Sequence, residues 1–438
     1  MIAFATLLLG LITGIYPIEV TVGGPVVSVE YLLDGVPVAE LKGPPWIAKV
    51  DLGAELQPRA LTARALDADG QEIARVTQWL NLPRPSAEVN VVLEKGTDGA
   101  PRAAQLTWQS VNDVKPLSLG LTLDGQPLTV EGNGRSTLPK VDLKALHVLT
   151  AEVWFPPGIL ASRDVAFGGE YGSEVSTELT AVPVRLRKGA ALPQTQGLAG
   201  WFTAGGQPVS AAAVEDGPGK VIIVRVPSAS EVLDKLLPPR QRPVRLPSFK
   251  TEMRLGDDDS VRFLSLASIA HRQSKVPSEL FDLSQELTRL DGGIFWQLAT
   301  LTMAKPVAKG FGRQVTDAVA VAGLQAAAEN HRRAVVLVLD GEAVDGSRYV
   351  PATVRRYLEA IRVPLFVWSL YGARTPAAQG WAGAEDVSSI SKLAQAVARL
   401  RSELDSQRIV WLEGRHLPQS IALTPAAREV ELVGARIP

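Results

Sequence analysis

Side chains that could do chemistry are scattered along this 438-residue chain rather than grouped. The four histidines are His147, His271, His331 and His416. They form no H-x-x-H or H-E-x-x-H pair, the spacings with which a helix holds zinc. Asp257-Asp258-Asp259 is not followed by the spaced oxygen ligands of a calcium loop, which indicates a solvated turn. Cysteine is absent, and so are nucleophile-elbow and phosphate-loop patterns. The sequence therefore predicts no enzyme and no cofactor.

The charge composition of the chain indicates which classes of molecule it could bind. The formal net charge is -1, with 46% hydrophobic and 21% charged residues. Binding to nucleic acid needs a basic surface, and this charge balance indicates none. The length of 438 residues predicts about two to four globular domains. We expect these domains to bind other proteins and not nucleic acid.

The first half of the chain has the pattern of short antiparallel strands, with an internal repeat. Runs of Val, Leu and Thr alternate with Asp-Gly turn signals. The repeat consists of VSVEYLLDGVPV and LSLGLTLDGQPL, each followed by KVDL and then LTA. These segments are 27–38, 49–52 and 61–63 in the first copy and 117–128, 140–143 and 149–151 in the second. Two copies of one β-sandwich module are the simplest explanation.

After about residue 219 the pattern changes to strands that alternate with helices. The strand-like apolar runs are 221–226, 335–339, 363–368 and 409–412. The helical stretches are 230–237, 315–330, 351–361 and 388–404. Such alternation predicts a parallel sheet covered by helices. The predicted fold class is multidomain, with N-terminal all-β sandwiches followed by a C-terminal α/β domain.

The first repeat copy resembles bacterial immunoglobulin-like domains. The resemblance rests on Tyr31, the Asp34-Gly35 turn, the Pro44-Pro45-Trp46 corner and the strand segment Val50-Asp51-Leu52. It implies an immunoglobulin-like β-sandwich. The second copy keeps the turn and KVDL but lacks the Pro-Pro-Trp corner.

The α/β half resembles von Willebrand A-type domains, in the variant found in secreted bacterial proteins. The run RAVVLVLDGE at 333–342, with Ser347 after it, is close to the pattern R-x-V-V-L-L-T-D-G-x-D-x-x-S. The run VPSAS at 226–230 stands where D-x-S-x-S is expected, and TDAV at 316–319 resembles the usual helix start. The resemblance implies a Rossmann-like fold that binds proteins.

The same resemblance implies where a divalent cation would be held. A-type domains use an Asp and two Ser of the first loop, a Thr, and the Asp of the DG strand; such oxygen ligands suit Mg²⁺. The matching remnants here are Ser228, Ser230 and Asp340. Val226 replaces the first Asp and Arg313 stands at the Thr position, and a shifted alignment with Thr316 does not restore the Asp. We expect a degenerate site without metal, in which the two serines cap the following helix.

The first 14 residues, MIAFATLLLGLITG, are apolar and uncharged. As a helix they would span roughly 21 Å, which suits a signal-peptide core better than a bilayer of about 30 Å. A basic start and a small-residue cleavage site are missing, so a membrane or complex anchor and a buried first strand are alternatives. Export or anchoring predicts a periplasmic or extracytoplasmic protein, and the anchor alternative predicts that residues 1–16 hold it at the inner membrane.

Together these patterns predict six segments and a function. The segments are 1–16, signal peptide or membrane anchor; 17–88 and 89–187, immunoglobulin-like sandwiches; 188–218, linker or β segment; 219–415, A-type domain; and 416–438, C-terminal extension. The predicted function is that of a non-enzymatic scaffold, a peripheral subunit that docks on a membrane protein complex. The first alternative function is that of a metal-dependent adhesin, and the second is that of a serine hydrolase.

Overall fold

The computed structural model describes most of the chain outside residues 226–254 and 288–313. The described residues are 2–6, 8, 10–23, 25–83, 87–96, 100–110, 115–123, 126–143, 146–156, 159–168, 171–175, 179–187, 189–193, 195–225, 255–265, 281–284, 287, 314–328, 331–339, 341 and 345–434. They form two compact units. One comprises residues 1–83, 181–412 and 416–438, and the other comprises 84–180 and 413–415.

The first module is a two-sheet β-sandwich. Its strands are β1 (Ile2–Phe4), β2 (Ile15–Val22), β3 (Ser28–Leu33), β4 (Val36–Leu41), β5 (Ile47–Asp51), β6 (Arg59–Leu66) and β7 (Glu72–Leu80). They pair antiparallel in the orders β1-β2-β5 and β4-β3-β6-β7. Ile18 and Val50 of one sheet and Tyr31 and Leu61 of the other lie in a common core. Alternate residues of each strand face that core, as burial of one sheet face requires.

The apolar N-terminal segment belongs to this sandwich in the structure. β1 pairs with β2, and Ile2 and Ile12 are buried in the core. The Asn81 side chain accepts from the N–H of Ile12 and donates to its C=O. The Gln78 side chain accepts from the Leu8 N–H and donates to the Thr6 carbonyl. This arrangement corresponds to the buried-strand alternative, while export or anchoring stays a prediction. Among the described helices, none has both the length and the apolar character needed to cross a bilayer.

The second module is a sandwich as well. Its strands are β8 (Ala87–Lys95), β9 (Pro101–Ser110), β10 (Ser118–Leu123), β11 (Gln126–Pro127), β12 (Arg135–Thr137), β13 (Leu146–Phe155), β14 (Ile159–Gly168) and β15 (Tyr171–Val175). The sheets have the orders β11-β10-β13-β14-β15 and β12-β9-β8. Val91 and Leu106 from one sheet share a core with Leu121 and Phe155 from the other.

The internal repeat has a common register in the two sandwiches. Leu33, which precedes the first Asp-Gly turn, pairs with Leu61, and Leu123, which precedes the second, pairs with Leu149. Each LTA segment therefore lies beside the strand that enters its turn. The KVDL segments differ, because the first forms β5 whereas 140–143 is not a strand. The β-sandwich prediction is confirmed for both copies.

The C-terminal half contains a parallel sheet covered by helices. Its strands are β20 (Gly219–Arg225), β21 (Ser260–Ser265), β22 (Asp282–Leu283), β23 (Arg332–Leu339), β24 (Leu365–Ser369) and β25 (Glu385–Asp386), in the order β22-β21-β20-β23-β24-β25. β22 is antiparallel to β21, and the other neighbours are parallel. The helices are α1 (Val315–Ala328), α2 (Pro351–Ala360), α3 (Pro376–Gly380) and α4 (Ile390–Ser406).

These helices cover both faces of the sheet because the strands are apolar on both sides. Val335 and Leu337 pack with α1 and α2, while Val336 and Val338 pack with α4. α1 and α2 approach closely at Gly323, where a Cβ would lie 2.9 Å from Leu358. The coarse prediction of a C-terminal parallel-sheet domain is confirmed.

Residues after the second sandwich, where a linker or β segment was predicted, form further β-structure together with the C-terminal residues. The strands are β16 (Leu179–Leu186), β17 (Phe202–Ala204), β18 (Gln207–Val209), β19 (Ala211–Glu215), β26 (Gln407–Glu413), β27 (Ile421–Leu423) and β28 (Val430–Leu432). They pair as β19-β26-β16-β28 and β18-β17-β27. The run 409–412 was expected in the parallel sheet but pairs antiparallel with β19. Two short 3-10 helices, Thr195–Leu198 and Pro418–Ser420, complete the described elements.

Arg333 is buried at the amino end of the parallel sheet. Its guanidinium donates to the carbonyls of Ala327, Ile361 and Arg362, where α1 and α2 end. Helix C-termini present partial negative charge, which offsets part of the cost of burying a cation. Burial lowers the pKa of Arg333 to about 10.

Candidate functional site

The strand order places a crevice at the carboxyl end of the sheet between β20 and β23. From β20 the chain continues outward in one direction through β21 and then returns to β23 on the other side. Ligands of open α/β sheets bind outside the strand ends at such a switch point. Arg225, the last residue of β20, is paired with Val338 of β23. The carboxyl ends of these two strands are therefore adjacent in the sheet.

The sequence-predicted remnants Ser228, Ser230 and Asp340 follow those two strand ends along the chain. They lie outside the described residues, as do Val226 and Arg313. Their arrangement stays a prediction.

The described wall of the crevice is a closed hydrogen-bond network at the start of α1. Asp345 accepts from the backbone N–H groups of Val315 and Thr316 at 3.0 and 3.1 Å. The hydroxyl groups of Thr316 and Ser347 also donate to its carboxylate, at 2.5 and 2.6 Å. A carboxylate at a helix N-terminus satisfies unpaired N–H groups and the positive end of the helix dipole. Asp345 thus ties the loop after β23 to α1.

Asp317, in α1, binds the same loop, so each of the two elements supplies a carboxylate to the backbone of the other. Its carboxylate accepts from the N–H groups of Arg348 and Tyr349 at 2.9 and 3.1 Å. Its own N–H donates to the hydroxyl of Ser347 at 3.0 Å. Asp317 and Ser347 were noticed in the sequence as family matches, whereas Asp345 was missed because its partner Thr316 is distant in sequence.

The described groups of this wall do not fit the cation that A-type domains hold. Thr316, the alternative Thr ligand, is fully buried and donates its hydroxyl to Asp345. The carboxylates of Asp317 and Asp345 each accept backbone N–H groups. Within the described ranges, no cluster of three or more His, Asp or Glu side chains is placed to hold a metal ion. The described oxygens therefore serve capping.

Two large apolar side chains stand exposed at the same edge. Tyr371 follows β24 and is 48% exposed, and Val350 precedes α2 and is 60% exposed. The Tyr371 ring lies 3.5 Å from where a Cβ of Gly341 would be, so it lies directly beside Gly341. Tyr is enriched at protein interfaces because its ring is apolar and its hydroxyl tolerates water. We call Val350, Gly341 and Tyr371 the carboxyl-edge face.

The far end of this edge carries a fixed charge pair. Asp386 of β25 accepts from the Lys392 ammonium at 2.5 Å and from the Ser388 N–H at 2.9 Å. The bond from Lys392, followed by those from Ser388, lowers the pKa of Asp386 to about 2. Its carboxylate is therefore ionised at all physiological pH values.

The other sequence candidates lie apart from this edge. Asp257 and Asp258 are exposed as predicted, but Asp259 is buried, which corrects the expectation of a fully solvated turn. Asp259 accepts from two backbone N–H groups and pairs with Arg332 at 3.1 Å, at the amino end of the sheet. His147 packs against Phe167 in the second sandwich. His271 lies outside the described residues.

No protein-family model matches the chain, and no curated protein sequence matches it. Similar solved structures include the fibronectin(III)-like modules of Clostridium thermocellum CbhA, at 16% identity and TM-score 0.16, covering 39% of this chain and 94% of that one. The central fibronectin-III array of RIM-binding protein has 12% identity and TM-score 0.23, covering 48% and 79%. Scores this low do not establish a shared fold, so the β-sandwich architecture rests on the strand pairing above.

Proposed function

We propose that this protein is a non-enzymatic, extracytoplasmic binding subunit that docks on a membrane protein complex through its carboxyl-edge face. The single observation that carries the proposal is the contrast at that edge. The described polar side chains, Asp317, Asp345 and Ser347, accept hydrogen bonds from backbone N–H groups of α1 and of the loop after β23. Tyr371 and Val350, in contrast, are exposed to solvent. A face of this kind suits apolar contact with another protein.

The architecture supports the proposal in two ways. The strand order of the parallel sheet and its helices on both faces are those of doubly wound domains, which bind ligands at the strand ends. We assign this domain to the A-type class on the motifs at 226–230, 316–319 and 333–342. The two β-sandwiches then serve as spacers or further contacts.

A pull-down from detergent-solubilised membranes tests the docking face. The full-length chain should retain the subunits of its complex, quantified by mass spectrometry. The double variant Val350→Ser, Tyr371→Ser should lose them by about tenfold or more, since buried aromatic anchors carry much of an interface's free energy. Ile73→Ser removes a similarly exposed apolar side chain, 45% exposed on β7, and serves as the matched control.

Two outcomes would contradict the proposal. If the protein emerges alone and monomeric, it is not a complex subunit. If retention is lost in EDTA, the metal-dependent adhesin using Ser228, Ser230 and Asp340 replaces it. The adjacency of β20 and β23 is the observation that favours this second candidate.

A further inference from the structure

We infer that the open edge of β28 binds an extended, acidic peptide segment of a partner protein by strand addition. This edge belongs to the sheet β19-β26-β16-β28 and not to the parallel sheet. The inference rests on the proposed binding function and adds a second surface to it. Because its test uses isolated peptides, its failure would leave the carboxyl-edge proposal standing, and the reverse also holds.

The backbone of β28 has hydrogen-bonding groups directed away from its neighbour. The Arg187 N–H donates to the Glu429 carbonyl, and the Val433 N–H donates to a carbonyl of β16. Backbone groups alternate in direction along a strand, so those of Val430 and Leu432 point away from β16. Within the described chain, β16 is the strand that pairs with β28. An extended peptide would find its main-chain partners at this edge.

A groove of about 450 Å³ borders this edge. Its apolar lining comes from Leu423, Ala427, Val430 and Leu432, of which Ala427 and Val430 are buried. The volume suits one or two apolar side chains of a bound segment. Because side chains alternate along a strand, such a segment would place every second residue in the groove.

The charges at the groove specify an acidic occupant. Arg187 and Arg428 line the groove, are exposed, and make no ion pair with any residue that the structure describes. Glu431, an acidic neighbour, already accepts from the Arg185 guanidinium at 2.7 Å. Guanidinium groups bind carboxylates with two parallel hydrogen bonds, which neutral peptides cannot supply. The surface therefore complements a strand that alternates apolar and acidic residues.

Fluorescence anisotropy with labelled peptides tests the proposal on the full chain. The probe is the octapeptide (Val-Glu)4, and the matched comparison is (Val-Lys)4. We expect (Val-Glu)4 to bind and (Val-Lys)4 to fail, with weaker binding as salt rises from about 50 to 300 mM, because exposed charge pairs are screened. Binding of both peptides, or of neither, would overturn the proposal.

Two variants of equal charge change locate the site. Arg187→Glu with Arg428→Glu should weaken (Val-Glu)4 binding by at least about tenfold, since each contact becomes a repulsion. Lys42→Glu with Arg374→Glu makes the same change at exposed positions elsewhere and should leave binding unaltered. Equal losses in the two variants would mean diffuse attraction to a basic surface and would overturn the proposal.

A backbone-methylated peptide separates strand addition from ionic attraction. In this peptide, the backbone nitrogens whose N–H groups would face β28 are methylated. Methylation removes these main-chain donors without changing the charge of the peptide. We expect it to abolish binding, and undiminished binding would overturn strand addition. Sedimentation velocity tests whether a second copy of this chain occupies the edge instead. A dimer that the Arg187→Glu, Arg428→Glu variant abolishes would overturn the proposal of a different partner protein.

Discussion

The Tyr31 hydroxyl shows how a single polar atom is accommodated in the core of the first sandwich. The side chain is fully buried, and its hydroxyl donates to the Trp46 carbonyl at 2.8 Å. Burial, assisted by the negative charge of Glu19, raises the pKa of Tyr31 to about 12. An unfolded chain exposes the same hydroxyl with a pKa of about 10. The neutral form is therefore favoured by folding.

This shift predicts a stability loss at alkaline pH. The contribution of Tyr31 is fully present below about pH 10 and is lost between about pH 10 and 12, because the unfolded chain releases the proton first. Tyr31→Phe should cost about 1 kcal/mol at pH 7 through the lost hydrogen bond, yet its stability should fall less steeply above pH 10. Urea unfolding at pH 7, 9, 10 and 11 measures both effects.

Tyr371→Phe is the control for this experiment, because it removes the same hydroxyl group from a side chain that is 48% exposed. Parallel curves for Tyr31→Phe and the wild type above pH 10 would contradict the assignment.

At individual residues, the sequence predicted local conformation better than distant contacts. The Asp34-Gly35 turn was predicted from the dipeptide, and both residues have the positive φ, 52° and 82°, that such hairpins require. The bonds from Arg59 and the Ala60 N–H to the Asp34 carboxylate were not predicted. No spacing rule connects residues that a fold brings together from distant positions.

At the scale of elements, the loop after β23 and α1 depend on one another through Asp345. Asp345→Ala should destabilise the chain by about 1–2 kcal/mol, since it removes the acceptor for the first N–H groups of α1. Chemical denaturation followed by far-UV circular dichroism measures this loss. Ser389→Ala removes the ordinary cap of α4, where the bond to Lys392 is 3.3 Å, and should cost less. Equal losses would mean that the Asp345 network contributes nothing beyond a cap.

The elements of the α/β half were predicted well because their periodicity is strong. The helical stretches 315–330, 351–361 and 388–404 correspond to α1, α2 and α4 within two residues at each end. The strand run 409–412 was also correct as a strand but was assigned to the wrong sheet. An apolar run in the sequence indicates that a strand is buried, but it does not indicate which other strand pairs with it. Pairing of β26 with β19 depends on contacts from another part of the chain.

At the scale of the whole molecule, the first sandwich and the parallel-sheet domain belong to one compact unit. Leu56 of the sandwich module packs in the core between the parallel sheet, α1 and α2. The Tyr357 hydroxyl of α2 donates to the Asn81 carbonyl at 3.0 Å, and Arg348 donates to Thr13. The first sandwich and the parallel-sheet domain therefore do not form independent packing units. The sequence could not show this, because each module has a complete pattern of its own.

Shared packing predicts joint unfolding. Leu56→Ala should cost about 2–5 kcal/mol and shift the heat-capacity transition of the unit containing residues 1–83 and 181–412, as one transition. Leu106→Ala, a substitution of equal size in the second sandwich core, should shift a different transition. Differential scanning calorimetry distinguishes these outcomes. Separate melting of residues 1–83 in Leu56→Ala would contradict the single unit.

The sheet β19-β26-β16-β28 also affects how a cell makes this protein. β16 ends at Leu186, but its partner β28 ends at Leu432. A ribosome takes roughly 10 to 50 s to translate the intervening chain. During that interval the nascent β16 and β19 have no strand of this sheet beside them, and unpaired apolar strand edges aggregate readily. We therefore expect the nascent chain to be most prone to aggregation between synthesis of β16 and synthesis of the last strands.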